Sequence, residues 1–282
     1  MQLYKFVASK DAVLNMARGN LKFTPIEQLN DPMELVPELV PSDVVESLKA
    51  LREVGMSEEQ FEWLGQQEVL LNLLAPEEIV LRRPKTLAEA NRMLTISAYD
   101  NLGYMRTKLV STVKSIRAKV GVLSLTARWD SLAMWAHYAS NANGFVVILD
   151  NLHEAFPGDG TGSLNVPKPV TYTSEFRGMT FDPATQDRLF FSKFAEWSYE
   201  QEWRVVLPLA QCRHVVPPGL YLKTIEAHHF AGVICGRNVP DDIIATLKSE
   251  LSAMNPAAEI KVARIEGAKI TLAAYQQPAS HA

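Results

Sequence analysis

The residues best suited to chemistry lie in the run Trp-Ser-Tyr-Glu-Gln-Glu-Trp-Arg-Val-Val-Leu, positions 197–207. From Glu200 the pattern alternates. That predicts a strand with Glu200, Glu202 and Arg204 on one face and Gln201, Trp203 and Val205 on the other, the second face fit for burial. Its aromatic and β-branched residues favour an extended chain. Two carboxylates on one face repel, which raises at least one pKa unless a cation sits near; Arg204 and Lys193 are the candidate cations. Trp197, Tyr199 and Trp203 crowd the acids. An apolar rim around a carboxylate pair suits a site that must stabilise positive charge. The plainer reading is a half-buried strand whose charged face meets water, with Arg204 paired to an acid rather than to a ligand.

These acids need a scaffold, and the rest of the chain supplies its elements. Leu3 to Val7 reads as a first strand. Lys10 to Arg18 reads as a short helix closed by Gly19-Asn20, and Leu21 to Thr24 as a second strand. Asn30-Asp31-Pro32 is turn chemistry, with Glu34 just beyond it. From about Pro41 to Lys119 apolar residues recur at helical spacing, with Ser42 and Ser57 as N-caps. Val120 to Thr126 returns to strand character and puts Ser124 and Thr126 on one face. Trp129 to Ala139 predicts a helix capped by Asp130 or Ser131. Leu132, Trp135, Ala136 and Ala139 form its expected buried stripe, and Met134, His137 and Tyr138 share another face.

Further along, Phe145 to Leu149 is an apolar, central strand. Gly158 to Gly162 is a loop without phosphate-loop spacing. Pro169 to Thr173 is a strand, and Ala184 to Ala195 a helix ending near Lys193. Leu220 to Ile225 and Phe230 to Cys235 are strands, and Asp241 to Met254 an amphipathic helix. Glu259 to Ile265 and Lys269 to Ala274 make a closing hairpin around Glu266-Gly267. Strands and helices do not alternate regularly, so the expected class is α+β. Residues 1–40 and 120–275 form one core domain, 41–119 a helical insertion and 276–282 a flexible tail.

Composition narrows the function classes. The 282 residues are 47% hydrophobic and 21% charged, with a net charge of −4. That gives no electrostatic footprint for nucleic acid or an anionic membrane. Cys212 and Cys235 suggest small buried residues in a reducing compartment rather than a disulfide framework. The first residues lack a signal peptide's apolar core and no run is long enough to span a bilayer, so the expected location is the cytoplasm. Histidines and cysteines show no ligand spacing, and no metal is expected.

Five motifs in order carry a resemblance: Leu3-Tyr4-Lys5-Phe6; Asn30-Asp31-Pro32-Met33-Glu34; Leu123-Ser124-Leu125-Thr126; Met134-Trp135-Ala136-His137-Tyr138-Ala139 with Gly144-Phe145; and Glu200-Gln201-Glu202-Trp203-Arg204. Together they resemble a large bacterial family, domain-of-unknown-function family 2971. That family in turn resembles the ADP-ribosyltransferase fold. The resemblance implies a mixed, mainly antiparallel ADP-ribosyltransferase-like β-core with a long helical insertion. It implies NAD as substrate, cleavage of the nicotinamide–ribose bond, an unknown macromolecular acceptor and a setting in toxicity or defence. Glu202 and Glu200 are then the expected catalytic residues. Lys5, Tyr4, Ser124, Thr126, His137 and Tyr138 are expected to bind the dinucleotide. Trp135 is expected in the core, and Asn30 and Asp31 in a turn. Two other readings are a non-catalytic nucleotide-binding or interaction module and an NAD glycohydrolase. Position 5 holds Lys where such transferases more often carry Arg or His.

Overall fold

A computed structural model describes residues 1–31, 49–62, 65, 84–94, 114, 117–158, 163–174, 189–216, 219–267 and 269–275. Pro32 to Glu34, most of the expected helical insertion, positions 159–162 and 184–188, and the tail 276–282 lie outside these residues.

The class is α+β, with a mixed and mostly antiparallel sheet. Its first strand, β1 (Gln2–Val7), leads into helix α1 (Lys10–Ala17), whose N-cap Ser9 accepts from the Ala12 amide. Gly19 turns the chain at φ 80° into β2 (Asn20–Pro25), a left-handed conformation that glycine adopts without a side-chain clash. Helix α2 (Leu87–Leu94) belongs to the region read as helical. Ser57 and Gln60 there exchange backbone hydrogen bonds as a capping box, as the cap assignment expected. After β3 (Val120–Thr126) come α3 (Leu132–Tyr138), β4 (Phe145–Asp150) and α4 (Leu152–Ala155). Three short strands follow, β5 (Lys168–Pro169), β6 (Thr171–Thr173) and β7 (Ser192–Phe194), then the longer β8 (Glu202–Pro208). The chain closes with β9 (Arg213–Val215), β10 (Leu220–Thr224), β11 (Phe230–Cys235), α5 (Asp241–Met254), β12 (Glu259–Glu266) and β13 (Lys269–Ala274).

Strand β3 is the branch point. Along one edge it pairs with β8 from Val120↔Pro208 to Thr126↔Glu202. Its other edge is shared. β1 takes the Thr126 end through Tyr4↔Thr126, and β2 takes the other end through Thr24↔Val122 and Pro25↔Gly121. Two wings therefore diverge from one strand: β1-β4-β11-β12-β13 and β2-β10-β9. The two attachment points lie four residues apart, about 13 Å at the rise of an antiparallel strand. Ser124 sits in the gap.

Strand β4 is buried on both faces, as its apolar run predicts. Phe145, Val147 and Leu149 join the cluster beneath α1 and α5, with Leu14, Ile244 and Leu247. Val146 and Ile148 meet Phe6, Trp135 and Ala139 on the opposite side. Gly144 precedes β4 so closely to β1 that a Cβ there would run into the Val7 carbonyl, which accounts for the glycine of the Gly-Phe pair.

Several sequence expectations are corrected. In α3 the buried residues are Met134 and Trp135, followed by Ala139, while Leu132 and Ala136 are exposed. This seven-residue helix turns Met134, Trp135 and Ala139 toward Phe6, Val146 and Ile148 and leaves Leu132 and Ala136 on the far side. Lys193 lies not at a helix end but in β7, which pairs in parallel with β6. The stretch read as one strand over Pro169 to Thr173 is divided at Val170: Lys168 and Pro169 pair with β8, and β6 pairs with β7 from Thr171.

Candidate functional site

The fork in the sheet opens a cavity of about 270 Å³. It is lined from β1 by Tyr4 and Lys5, from β2 by Lys22 and Thr24, and from the following turn by Gln28 and Asn30. Ser124 and Thr126 of β3, Met134 and Tyr138 of α3, and Lys193, Glu200 and Glu202 complete the wall. The structure thus brings together seven of the eight expected site residues. His137 is the exception: it is exposed and its Nδ1 lies 3.2 Å from the Tyr199 hydroxyl.

The acids are held differently from the alternating strand expected. Glu200 ends a 3₁₀ turn, Ala195–Glu200, and β8 begins only at Glu202. Gln201 between them is left-handed, at φ 43°, and exposed. That one residue rotates the chain so that both acids still point inward. The charged face is the more buried one: Glu200 and Glu202 are each 4% exposed, Lys193 3% and Arg204 0%. The water-facing strand is excluded.

Charge balance explains how these groups tolerate burial. Arg204 grips Glu202 with both arms, Nε to Oε1 at 2.9 Å and Nη2 to Oε2 at 2.8 Å, and its Nη1 donates to the Phe190 carbonyl. Lys193 bridges the two acids, at 2.7 Å from Glu200 Oε2 and 3.4 Å from Glu202 Oε2. Its Nζ also lies 4.6 Å from the centre of the Trp197 ring. Burial alone would pull the Lys193 ammonium down, but Glu202 and Glu200 outweigh it and leave it above its ordinary value. Burial pushes the Glu202 carboxyl up, while Lys193 and a hydrogen bond from Ser124 pull back toward the charged form. Burial brings the Arg204 guanidinium down to about 9, so it remains a cation at neutral pH.

Tyr138 donates to Glu200 Oε1 at 2.6 Å. Burial, with that hydrogen bond, pushes its hydroxyl far above the usual range, so the proton stays on oxygen. Asn30 Nδ2 donates to the same hydroxyl. A phenol that accepts from Asn30 can only give its own proton to Glu200. Asn30 therefore belongs to the cleft as well as to the turn. Thr126 faces the other way in the network, its Oγ1 donating to the Glu200 carbonyl. Tyr172, absent from the sequence expectations, accepts from the Glu202 amide at 2.7 Å. Nothing in its sequence surroundings marks it; it arrives by the β6–β7 pairing.

Lys5 occupies the gap between the wings. At the level of Ser124 neither β1 nor β2 pairs with β3, and Lys5 Nζ donates to the Ser124 carbonyl at 2.7 Å. Burial lowers its ammonium to about 8, with Glu202 opposing and Lys22 reinforcing the shift.

Residues 134–205 match the family described as protein of unknown function (DUF2971). This is the family to which the motifs pointed. The DUF2971 segment begins with Met134 of α3 and ends just past Glu-Gln-Glu-Trp-Arg, so it includes Tyr138, Lys193, Glu200, Glu202 and Arg204. Lys5, Asn30 and Ser124 come from outside the matched segment. No curated protein and no solved structure matches the chain. Among the described residues no cluster of His, Cys, Asp or Glu could hold a metal, and no helix is long and apolar enough to cross a membrane.

Proposed function

We propose that the cleft binds a nucleotide and cleaves an N-ribosyl bond of the kind found in NAD, in the manner of an ADP-ribosyltransferase. The convergence carries this reading. Lys5, Ser124, Tyr138 and two buried carboxylates, spread over some two hundred residues of chain, meet in one cleft. The buried acids suit a ribose and a developing cation; the ammonium groups of Lys5 and Lys22 suit phosphate.

In the proposed reaction the nicotinamide nitrogen departs with the bonding electron pair and becomes neutral. The anomeric carbon passes through an oxocarbenium-like state. Glu202, fixed by Arg204, presents negative charge to that cation and accepts from a ribose hydroxyl. Glu200 receives the proton of the attacking acceptor as the new bond to the anomeric carbon forms. Ser124 and Tyr138 orient the two acids. The acceptor is a macromolecular nucleophile or, in a glycohydrolase, water.

The test is release of free nicotinamide from NAD or from nicotinamide mononucleotide by the purified protein. Release is expected from the parent and a loss of at least about 100-fold from Glu202→Gln, since electrostatic stabilisation of this kind is worth several kcal/mol. Absence of release from a folded parent overturns catalysis. A second reading is favoured by one observation: Lys193, Arg204 and Tyr138 already engage every carboxylate oxygen. On that reading the cleft recognises a nucleotide without turning it over, and calorimetry would detect binding where no nicotinamide appears.

A further inference from the structure

Two ammonium groups face the same cavity from different wings of the sheet. Lys5 comes from β1 and Lys22 from β2, the two strands that part at Ser124. Lys22 is exposed and has no ion-pair partner among the described residues. Lys5 spends one of its three N–H donors on the Ser124 carbonyl, leaving two for the cleft. The acids nearest to it are bound elsewhere: Glu202 by Arg204 and Lys193, Glu200 by Lys193 and Tyr138. Like charges that share a cleft repel, and Lys22 does weaken the charge on Lys5. An anion between them would reverse that repulsion. Thr24, two residues after Lys22 on β2, adds a hydroxyl to the same wall.

We propose that Lys5 and Lys22 form a phosphate subsite at the fork, and that the ligand is a mononucleotide whose phosphate monoester sits there. The inference rests on reading the cleft as a nucleotide site. Two compact ammonium charges match a monoester dianion, whereas a planar carboxylate is better served by a guanidinium. A mononucleotide carries that dianion at its terminus. The cavity of about 270 Å³ has room for one nucleoside unit with its phosphate.

Calorimetry with nicotinamide mononucleotide, nicotinamide riboside and ribose 5-phosphate, on the parent and on Lys22→Gln, tests this. Lys22 is exposed, so its variant keeps the fold, and circular dichroism checks that. In the parent the mononucleotide should bind at least about tenfold tighter than the riboside, a difference of about 1.4 kcal/mol. Lys22→Gln should erase that advantage and leave riboside affinity unchanged. Equal affinities of mononucleotide and riboside in the parent overturn the subsite while leaving a nucleotide site standing. Ribose 5-phosphate binding that depends on Lys22, with no riboside binding, upholds the subsite and overturns the nucleotide reading. No binding of any of the three overturns both.

Discussion

Lys193 holds the two acids at a distance that their charges alone would forbid. Replacing one partner of a buried ionic network leaves uncompensated charge, which costs about 3–5 kcal/mol. Lys193→Met should therefore lower stability by about that amount in a urea titration, and a loss under about 1 kcal/mol would show the network to be solvated. Lys5 behaves in the opposite sense. Its folded-state value of about 8 lies below that of an exposed lysine, about 10.4. Between pH 8 and 10.4 the unfolded chain retains a proton that the folded chain has released, so folding stability rises with pH across that window. At pH 7 the charged form is a burden on the fold. Lys5→Met should accordingly match or exceed the parent by about 1–2 kcal/mol at pH 7, with the gap narrowing by pH 9.5. A gap that widens with pH would contradict the assignment. Asn30 acts through Tyr138: Asn30→Ala should leave stability within about 1 kcal/mol yet shift the pH profile of ligand binding, because the phenol is then free to turn from Glu200. An unchanged profile would reduce Asn30 to a turn residue.

At the level of elements, Gln201 explains why the pattern Glu-Gln-Glu-Trp-Arg misleads. Alternation is a property of extended backbone, and Gln201 at φ 43° is not extended. A left-handed residue with a β-branched side chain is strained by about 1–2 kcal/mol. Gln201→Val should destabilise by that much, whereas Gln201→Gly should be neutral or stabilising in thermal melts. Elements whose own residues dictate them were legible: β4 from its apolar run, α5 with both ends from Asp241 to Met254, and the β12–β13 hairpin turning at Gly267. Elements dictated by distant partners were not. β7 around Lys193 is only three residues long and exists through β6, while Leu132 and Ala136 are exposed because α3 packs on Phe6, Val146 and Ile148 through Met134, Trp135 and Ala139 instead. The site residues Lys5, Ser124, Tyr138, Glu200 and Glu202 were readable as types and motifs. Their meeting was not, since it follows from the branching of β3.

Across the whole molecule, β3 is common property of both wings and of β8. Its own apolar side chains belong to two clusters, Leu123 and Leu125 to one, Val120 and Val122 to another. Neither wing can lose its contacts without exposing a strand the other needs. Unfolding of the described body should be a single cooperative transition, with tryptophan fluorescence and far-ultraviolet circular dichroism coincident. Two separated transitions would mean that the wings are independent domains. The fork also fixes a ruler. Lys5, Lys22 and Glu202 hang from three strands that all pair with β3, so the distances among them follow one strand's ladder. One residue inserted into or deleted from the branching strand would flip its inward side chains outward and abolish the cleft altogether.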